Sequence, residues 1–167
     1  MKFSFTVACL SALLAPVAAR GDKMLKVPGE NPLYHCAGDR ARDGVEITRV
    51  DLTPNPPAMG QNLVINATGA VKTTINQGSK VHLIVKMGFV TILNRVEDLC
   101  EQVGHVDLEC PIKKGTMNIV KTVSLPGHIP AGPFTVEANA TTEDGEPITC
   151  LQGTVLLQQN SFFNIEL

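Results

Sequence analysis

Cysteine is the residue type whose number and placement most directly suggest chemistry in this sequence. Cys9 lies in an apolar N-terminal stretch, and the other four cysteines form an even set: Cys36, Cys100, Cys110 and Cys150. In an oxidising compartment such a set forms two disulfides by one of three pairings. We favour Cys36–Cys150, which would tie the start of a domain to its last strand, together with Cys100–Cys110, which would close a local loop.

The other side chains capable of chemistry form no recognisable catalytic or metal-binding set. The four histidines are scattered and are interpreted as surface imidazoles, and a zinc site that combines His105 with cysteines would not follow a zinc-finger spacing. The acidic group Glu97, Asp98 and Glu101 is typical of a solvated face, and a glycosidase usually needs aromatic sugar platforms, whereas this chain has no Trp. Nucleophile-elbow, zinc-protease, phosphate-loop and EF-hand motifs are absent from the sequence. The sequence therefore predicts a protein that is not an enzyme and that uses no metal or cofactor.

The N-terminus has the pattern of a secretory signal peptide. Lys2 precedes an uncharged run from Phe3 to Ala19, and the run ends in small residues that suit signal peptidase. The run is short for a membrane span and contains Pro16, and no later stretch is long and apolar enough to cross a bilayer. We therefore expect a soluble mature protein that is secreted or held in a vacuolar or lysosome-like lumen.

Two N-glycosylation sequons agree with this compartment. They begin at Asn66 and Asn139, and in both segments the apolar residues alternate so that the asparagine falls on the polar face of a half-buried strand. Both asparagines are therefore predicted glycan acceptors.

Composition and periodicity favour a β-rich domain with an aliphatic interior. The chain is 44% hydrophobic but only 4% aromatic, and its 14 basic and 16 acidic side chains give no electrostatic case for binding nucleic acid or an anionic membrane surface. Apolar and polar residues alternate most clearly from Lys80 to Met87. About seven such segments, separated by turn clusters and without a convincing capped helix, predict a β-sandwich or barrel. We divide the chain into a signal peptide (1–19), a flexible lead or pro-segment (20–35), one domain (36–160) and a tail (161–167).

A sandwich whose sheets splay apart can enclose an apolar pocket between its inner faces. Residues 88–93 depart from simple alternation and are apolar on both faces, so one face could meet the core and the other a pocket mouth or a membrane. Residues 126–131 form a second such loop, with Ile129 as an exposed apolar residue. Ordinary core and rim packing is the alternative explanation for both segments.

Several cysteine-anchored motifs, present in a fixed order, resemble those of one protein family. The motifs are KVPGENPLYHC at 26–36, VDLTPNPP at 50–57, DLCEQ at 98–102, ECPIKKG at 109–115 and ITCL at 148–151. They resemble the fungal phosphatidylglycerol/phosphatidylinositol transfer proteins of the ML lipid-recognition family, which also includes the Niemann–Pick type C second protein and the mite group-two allergens. The similarity extends over residues 26–158.

The resemblance implies an all-β, immunoglobulin-like sandwich of about seven strands with a lipid cavity between the sheets and no covalent catalysis. It supports the favoured disulfides, because the family joins its first and last cysteines and clips a loop at a Cys-Pro step, here Cys110-Pro111. The third, near-N-terminal disulfide of many animal members has no counterpart here, so the early strand and loop are expected to be looser. By matching strands, the resemblance also implies a set of lipid-binding residues, with Phe89 and Ile92 at the mouth of the cavity. The set is Leu63, Ile65, Leu83, Val85, Phe89, Ile92, Phe134 and Val136.

We therefore interpret the sequence as that of a monomeric lipid carrier that contacts membranes transiently. A smooth aliphatic pocket tolerates several lipid shapes, and the choice between an anionic phospholipid and a sterol stays open. Two alternatives also stay open: a recognition module that binds a lipid or a protein without transferring lipid, and a secreted hydrolase, for which no nucleophile–base pair is visible.

Overall fold

The computed structural model describes residues 24–105 and 107–158, which form eight strands and one short helix. The predicted signal peptide and the predicted tail lie outside the described residues. In chain order the elements are β1 (Leu33–His35), β2 (Val45–Thr53), β3 (Asn62–Val71), β4 (Lys80–Met87), β5 (Val90–Asp98), α1 (Leu99–Gly104), β6 (Gly115–Ser124), β7 (Gly132–Thr141) and β8 (Pro147–Leu157).

The strands form two antiparallel sheets, which confirms the predicted all-β sandwich. One sheet has five strands in the order β1-β8-β7-β4-β5, and the other has three in the order β2-β3-β6. Side chains alternate between the two faces of a strand, so residues that pair in register share a face. On the inner face of the five-stranded sheet, Leu83 pairs with Ala138 and Val85 with Val136. The structure has eight strands where the sequence analysis expected about seven, and the additional strand is β1.

The segment before Cys36 belongs to the sandwich, although the sequence placed residues 20–35 in a flexible lead. β1 pairs with β8, and Val27 is fully buried. The Val50 amide donates to the Pro28 carbonyl at 2.9 Å, which fastens the segment along β2. This approach requires glycine at position 29, because φ there is 108° and a Cβ atom would lie 2.1 Å from the Val50 carbonyl oxygen. The described part of the lead is therefore structural.

Two apolar clusters hold the sheets together. The first fills the far end, the end of the sandwich formed by the loops 36–44, 72–79, 99–114 and 142–146. Its buried members are Val45, Val71, Ile75, Val81, Ala140 and Ile148. The second cluster joins Val27, Val50 and Leu52 to partly buried residues on the inner face of β3. We call the opposite end of the sandwich, formed by the loops 54–61, 88–89 and 125–131, the loop end.

Both disulfides lie toward the far end and have the pairings that the resemblance implied. Cys36–Cys150 ties the residue after β1 to β8 across 114 positions, and Cys100–Cys110 closes a segment of 10 positions.

The short helix α1, which the sequence analysis did not predict, contains the first cysteine of the second pair. Asp98 begins it by accepting hydrogen bonds from the amides of Cys100 and Glu101 at 2.8 and 3.1 Å. One member of the acidic group is thus a helix cap. Within the described ranges, no helix is long and apolar enough to span a membrane.

Candidate functional site: an apolar cavity at the loop end

A cavity of about 590 Å³ opens at the loop end on the inner face of the five-stranded sheet. Its walls come from β4, β5, β7 and β8, and from the loop that joins β6 to β7. The lining residues are Val85, Ile92, Leu93, His128, Ile129, Pro130, Phe134, Val136, Val155 and Leu157. The volume and apolar character are those of a small-molecule site. His128 is the one titratable group in this lining, so the described wall of the cavity carries no carboxylate, lysine or arginine.

The alternation of the strands explains most of this lining. Val85 of β4 pairs with Val136 of β7, and Phe134 of β7 pairs with Val155 of β8, so these four side chains share the inner face. Leu157, two residues after Val155, continues the same face of β8. The aliphatic residues of these strands therefore form a smooth apolar wall.

A β-bulge in β5 supplies two further wall residues. Leu93 pairs with Val85, whereas the next residue of β4, Lys86, pairs with Thr91, so Ile92 is the extra residue of the bulge. Ile92 and Leu93 are neighbours in sequence, yet both line the cavity. The irregular apolar pattern of residues 88–93, noted in the sequence, is the signature of this bulge.

The structure brings four of the eight predicted lipid-binding residues to the cavity wall and places the other four elsewhere. Val85, Ile92, Phe134 and Val136 line the cavity. Leu63 and Ile65 pack against the cluster of Val27, Val50 and Leu52, so these two side chains of the three-stranded sheet belong to the core rather than to the cavity wall.

The other two predicted residues lie beyond the two ends of the cavity. Leu83 packs against the far-end cluster. Phe89 protrudes from the β4–β5 hairpin with its side chain fully exposed. Four of the matched positions are thus wall residues and the two on β3 belong to the second apolar cluster, and lipid contact by any of the eight stays a prediction.

Sequence reasoning missed Leu93, His128, Pro130, Val155 and Leu157 as wall residues. The signal for Val155 and Leu157 was present in the alternation of β8, whose frame the sequence left uncertain. The signal for His128 and Pro130 was weaker, because only the fold shows that the loop after β6 turns back over the inner face. The sequence did single out this loop for Ile129, which is half-buried in the cavity wall rather than exposed.

Two cations interrupt the apolar inner faces at the edge strands of the sandwich. Lys121 of β6 pairs with Ile65, and its Nζ atom lies 3.3 Å from Asp107 Oδ2. Arg95 of β5 pairs with Leu83, which places it two residues beyond the wall residue Leu93 on the same face. Arg95 Nη1 in turn lies 3.6 Å from Glu97 Oε1, so both cations are paired with acids and neither belongs to the described apolar wall.

The predicted glycan acceptors lie away from the cavity. Asn66 is exposed on the outer face of β3, opposite Val120, and Asn139 is exposed on the outer face of β7, opposite His82. Their exposure is compatible with modification, which stays a prediction.

A metal site finds no support in the part of the chain that the structure describes. The one cluster with suitable ligand spacing there is Cys36, Glu137 and Cys150, and its two sulfur atoms are bonded to each other.

Comparison with known proteins gives the fold and the site a family context. Residues 30–157 match the ML-domain family model. The chain is 48% identical over 146 residues to the phosphatidylglycerol/phosphatidylinositol transfer protein of Pyricularia oryzae, with 87% of this chain and 81% of that protein covered. It is 42% identical over 165 residues to the protein of the same name from Aspergillus fumigatus, with 90% of this chain and 94% of that protein covered.

Solved structures of low sequence identity share the fold. A Niemann-Pick type C2 protein from the Japanese carpenter ant superposes with a TM-score of 0.54 at 12% identity, over 72% of this chain and 98% of that one. Chicken MD-1, solved in complex with lipid IVa, superposes with a TM-score of 0.53 at 21% identity, over 81% of this chain and 98% of that one. The resemblance found in the cysteine-anchored motifs is confirmed, and the chain belongs to the ML-domain family.

Proposed function

We propose that this protein is a lipid carrier that holds the acyl chains of a lipid in the loop-end cavity and moves the lipid between membranes. The observation that carries the proposal is the cavity itself: about 590 Å³ of space whose wall is formed by aliphatic side chains, one phenylalanine, one proline and one histidine. An open apolar cavity of this kind is costly to hydrate and gains free energy when an apolar ligand fills it.

The physical task of such a carrier is to spare the acyl chain its passage through water. Each methylene group costs about 0.8 kcal/mol to expose, so a long chain leaves a bilayer slowly by itself. Bilayer and cavity are both apolar, so the exchange between them is nearly balanced in free energy. The aliphatic wall has no hydrogen-bonding pattern that would reject one chain in favour of another, and it therefore suits a carrier that tolerates different acyl chains.

The names of the relatives support phosphatidylglycerol and phosphatidylinositol as the cargo. An anionic headgroup does not fit the apolar wall, because burying an unpaired charge is strongly unfavourable. The headgroup would therefore stay outside the apolar wall, and an anionic headgroup there would draw on cations beyond the wall, such as Lys121 on the inner face of β6. A sterol, whose polar group is a single hydroxyl, makes no comparable demand for cations.

We infer that the protein works in the lumen of the secretory pathway or outside the cell. Two disulfides support an oxidising compartment, and the signal-peptide pattern of residues 1–19 supports entry into that pathway.

A vesicle-to-vesicle transfer assay tests the proposal. Donor vesicles would carry fluorescent phosphatidylglycerol, phosphatidylinositol or sterol, and the purified protein is expected to accelerate transfer of the anionic phospholipids. A Val136→Phe variant, which narrows the cavity, should transfer more slowly, whereas Val120→Phe on the exposed outer face of β6 should transfer at the wild-type rate. Transfer no faster than without protein for all three lipids would refute the carrier. Lipid uptake without transfer would instead indicate a recognition module.

A further inference from the structure

We propose that the loop end is a membrane-docking surface, in which an apolar tip formed by Phe89, Val90 and Ile92 inserts into the bilayer interface and turns the cavity mouth toward the lipids. This inference rests on the proposed carrier function and adds to it the face of the molecule that meets the membrane. The partner is the bilayer surface itself rather than a membrane protein.

The apolar tip is the first observation. Phe89 is fully exposed, with a relative accessibility of 106%, and Val90 and Ile92 have accessibilities of 64% and 52%. Gly88, with φ of 58°, makes the turn that projects Phe89 beyond the end of the sheet. Single exposed apolar residues are common on protein surfaces, but three within four positions of one hairpin form a contiguous apolar projection.

The distribution of charge is the second observation. The described segments 54–61, 86–92 and 125–133 contain no carboxylate, and their titratable groups are Lys86 and His128. The loops of the far end, in contrast, carry more acidic than basic side chains. The acids are Asp39, Asp43, Glu101, Asp107, Glu109, Glu143, Asp144 and Glu146, and the bases are Arg40, Arg42, Lys72, Lys113 and Lys114. Since anionic lipids give a membrane surface a negative potential, the molecule is electrostatically suited to approach such a membrane with its loop end first.

Two described acids, Asp51 and Glu30, lie near the loop end, and the carboxylate of Asp51 is already engaged in the protein. Asp51, near the end of β2, accepts a hydrogen bond from Arg49 Nη2 at 2.9 Å and another from the Glu30 amide at 2.8 Å. Both acids lie beside the outer edge of β2, whereas the apolar tip belongs to β5 at the edge of the other sheet. They do not set a negative charge beside the apolar tip.

Continuity with the cavity is the third observation. Ile92 is both a member of the exposed tip and a residue of the cavity wall, so an inserted tip sets the mouth of the cavity against the membrane. Leu125, at the start of the loop over the cavity, donates its amide to the Gln61 carbonyl at 2.9 Å, which joins two loops of the loop end. The glycan acceptors Asn66 and Asn139 lie on the outer faces of the strands, where glycans would not obstruct this approach.

Tryptophan fluorescence offers a direct test, because the chain contains no Trp. Phe89→Trp places a single reporter at the apolar tip, and Val120→Trp places one on the outer face of β6, at an exposed position with an accessibility of 69%. On addition of vesicles of phosphatidylcholine with phosphatidylglycerol, the emission of Phe89→Trp is expected to shift to shorter wavelength and to be quenched by brominated acyl chains. Val120→Trp should show neither change.

Three results of this experiment would overturn the docking surface. In the first, the two reporters respond equally to vesicles. In the second, Phe89→Trp shows no response although the wild-type protein sediments with the vesicles. In the third, the Phe89→Trp emission is already blue-shifted in buffer. The tip would then be covered, without any membrane, by another segment of the chain or by a second copy of the protein.

A charge-insertion pair separates failure of the docking surface from failure of the carrier. Val90→Asp is expected to weaken co-sedimentation with vesicles about tenfold, because it replaces an inserting apolar group by a charge. Val120→Asp should co-sediment like the wild type. Uptake of detergent-dispersed fluorescent phospholipid, which needs no bilayer, should be unchanged in both variants. Loss of this uptake in the wild type would refute the carrier, whereas equal co-sedimentation of the two variants would refute only the docking surface.

Discussion

The side-chain amide of Asn31 lies 2.6 Å from the carbonyl oxygen of Val50, in a buried position between the N-terminal segment and β2. The same side chain accepts a hydrogen bond from the Leu33 amide at 2.8 Å, so one residue satisfies backbone groups of both segments. This contact fixes the stretch before Cys36 on the sandwich.

The first prediction concerns this contact. Asn31→Ala is expected to lower the free energy of unfolding by about 2 kcal/mol, because the backbone amide of Leu33 and the backbone carbonyl of Val50 both lose a hydrogen-bond partner. Asn118→Ala, at an exposed position of β6, should change it by less than about 0.5 kcal/mol. Urea unfolding of the two variants measures both values. Equal stability of the two variants would show that the N-terminal segment does not depend on Asn31.

The second prediction concerns the cavity wall. Leu93→Asp places a carboxylate in the apolar wall and should abolish uptake of dispersed fluorescent phospholipid, because the bound acyl chain would have to desolvate the charge. Asn118→Asp adds the same charge on an exposed outer position and should leave uptake unchanged. Far-UV circular dichroism confirms that both variants are folded. Uptake by Leu93→Asp at the wild-type level would mean that the ligand lies outside this cavity.

Alternation explains both why the fold could be predicted from the sequence and why only some of the predicted site residues lie in the cavity wall. Alternation assigns a residue to a face of its strand, and for Val85 and Val136 the inner face is also the cavity wall. Alternation does not show what stands opposite that face. Ile65 has the same alternation pattern, but Val27 of the N-terminal segment is part of the cluster against which Ile65 packs. Ile65 therefore lies in the core and not in the cavity wall. That outcome depends on contacts between distant segments, which periodicity does not encode.

Local irregularities were harder to interpret from the sequence than regular strands. The bulge at Ile92 disturbs the pattern for a structural reason, and its apolar run was recognisable without the register that explains it. The Asp98 cap was part of an acidic group that had the composition of a solvated surface. In both cases the residue types were visible, whereas their partners became known only from the fold.

The third prediction concerns pH. Burial, followed by the positive charge of Arg40, lowers the pKa of His35 below its ordinary value of 6.5, and the nearby Asp43 opposes this shift. A lowered pKa means that protonation favours the unfolded chain, so stability is full above pH 6.5 and falls as the pH drops from there toward the folded-state pKa. His35→Leu should remove this part of the pH dependence between pH 7.5 and 5, whereas the exposed His105→Leu should retain it. Urea unfolding at several pH values measures the effect. The prediction would be contradicted if the free energy of unfolding depended on pH in the same way in both variants.

The fourth prediction compares the disulfides. In the chain-entropy model, the bridge across 114 positions constrains the unfolded chain more than the bridge across 10 positions. Replacing both Cys36 and Cys150 by Ala should lower the free energy of unfolding by about 4 to 5 kcal/mol, and replacing Cys100 and Cys110 by about 3 kcal/mol or less. Thermal unfolding of the two double variants at equal concentration gives the order. A larger loss for the shorter bridge would show that the loop after α1 contributes native packing beyond its disulfide.

The last prediction concerns Lys121, the cation on the inner face of β6. Its partner Asp107 is mostly exposed, and ion pairs of this kind contribute little, so Lys121→Met should leave the free energy of unfolding within about 1 kcal/mol of the wild type. If the lysine leaves Asp107 to contact an anionic headgroup, the same variant should transfer phosphatidylglycerol more slowly while transferring phosphatidylcholine at an unchanged rate. Lys114→Met, at an exposed loop position, should change neither rate. A uniform slowing of both lipids by Lys121→Met would assign the lysine to packing rather than to lipid selection, and unchanged rates for both lipids would exclude a role in headgroup binding.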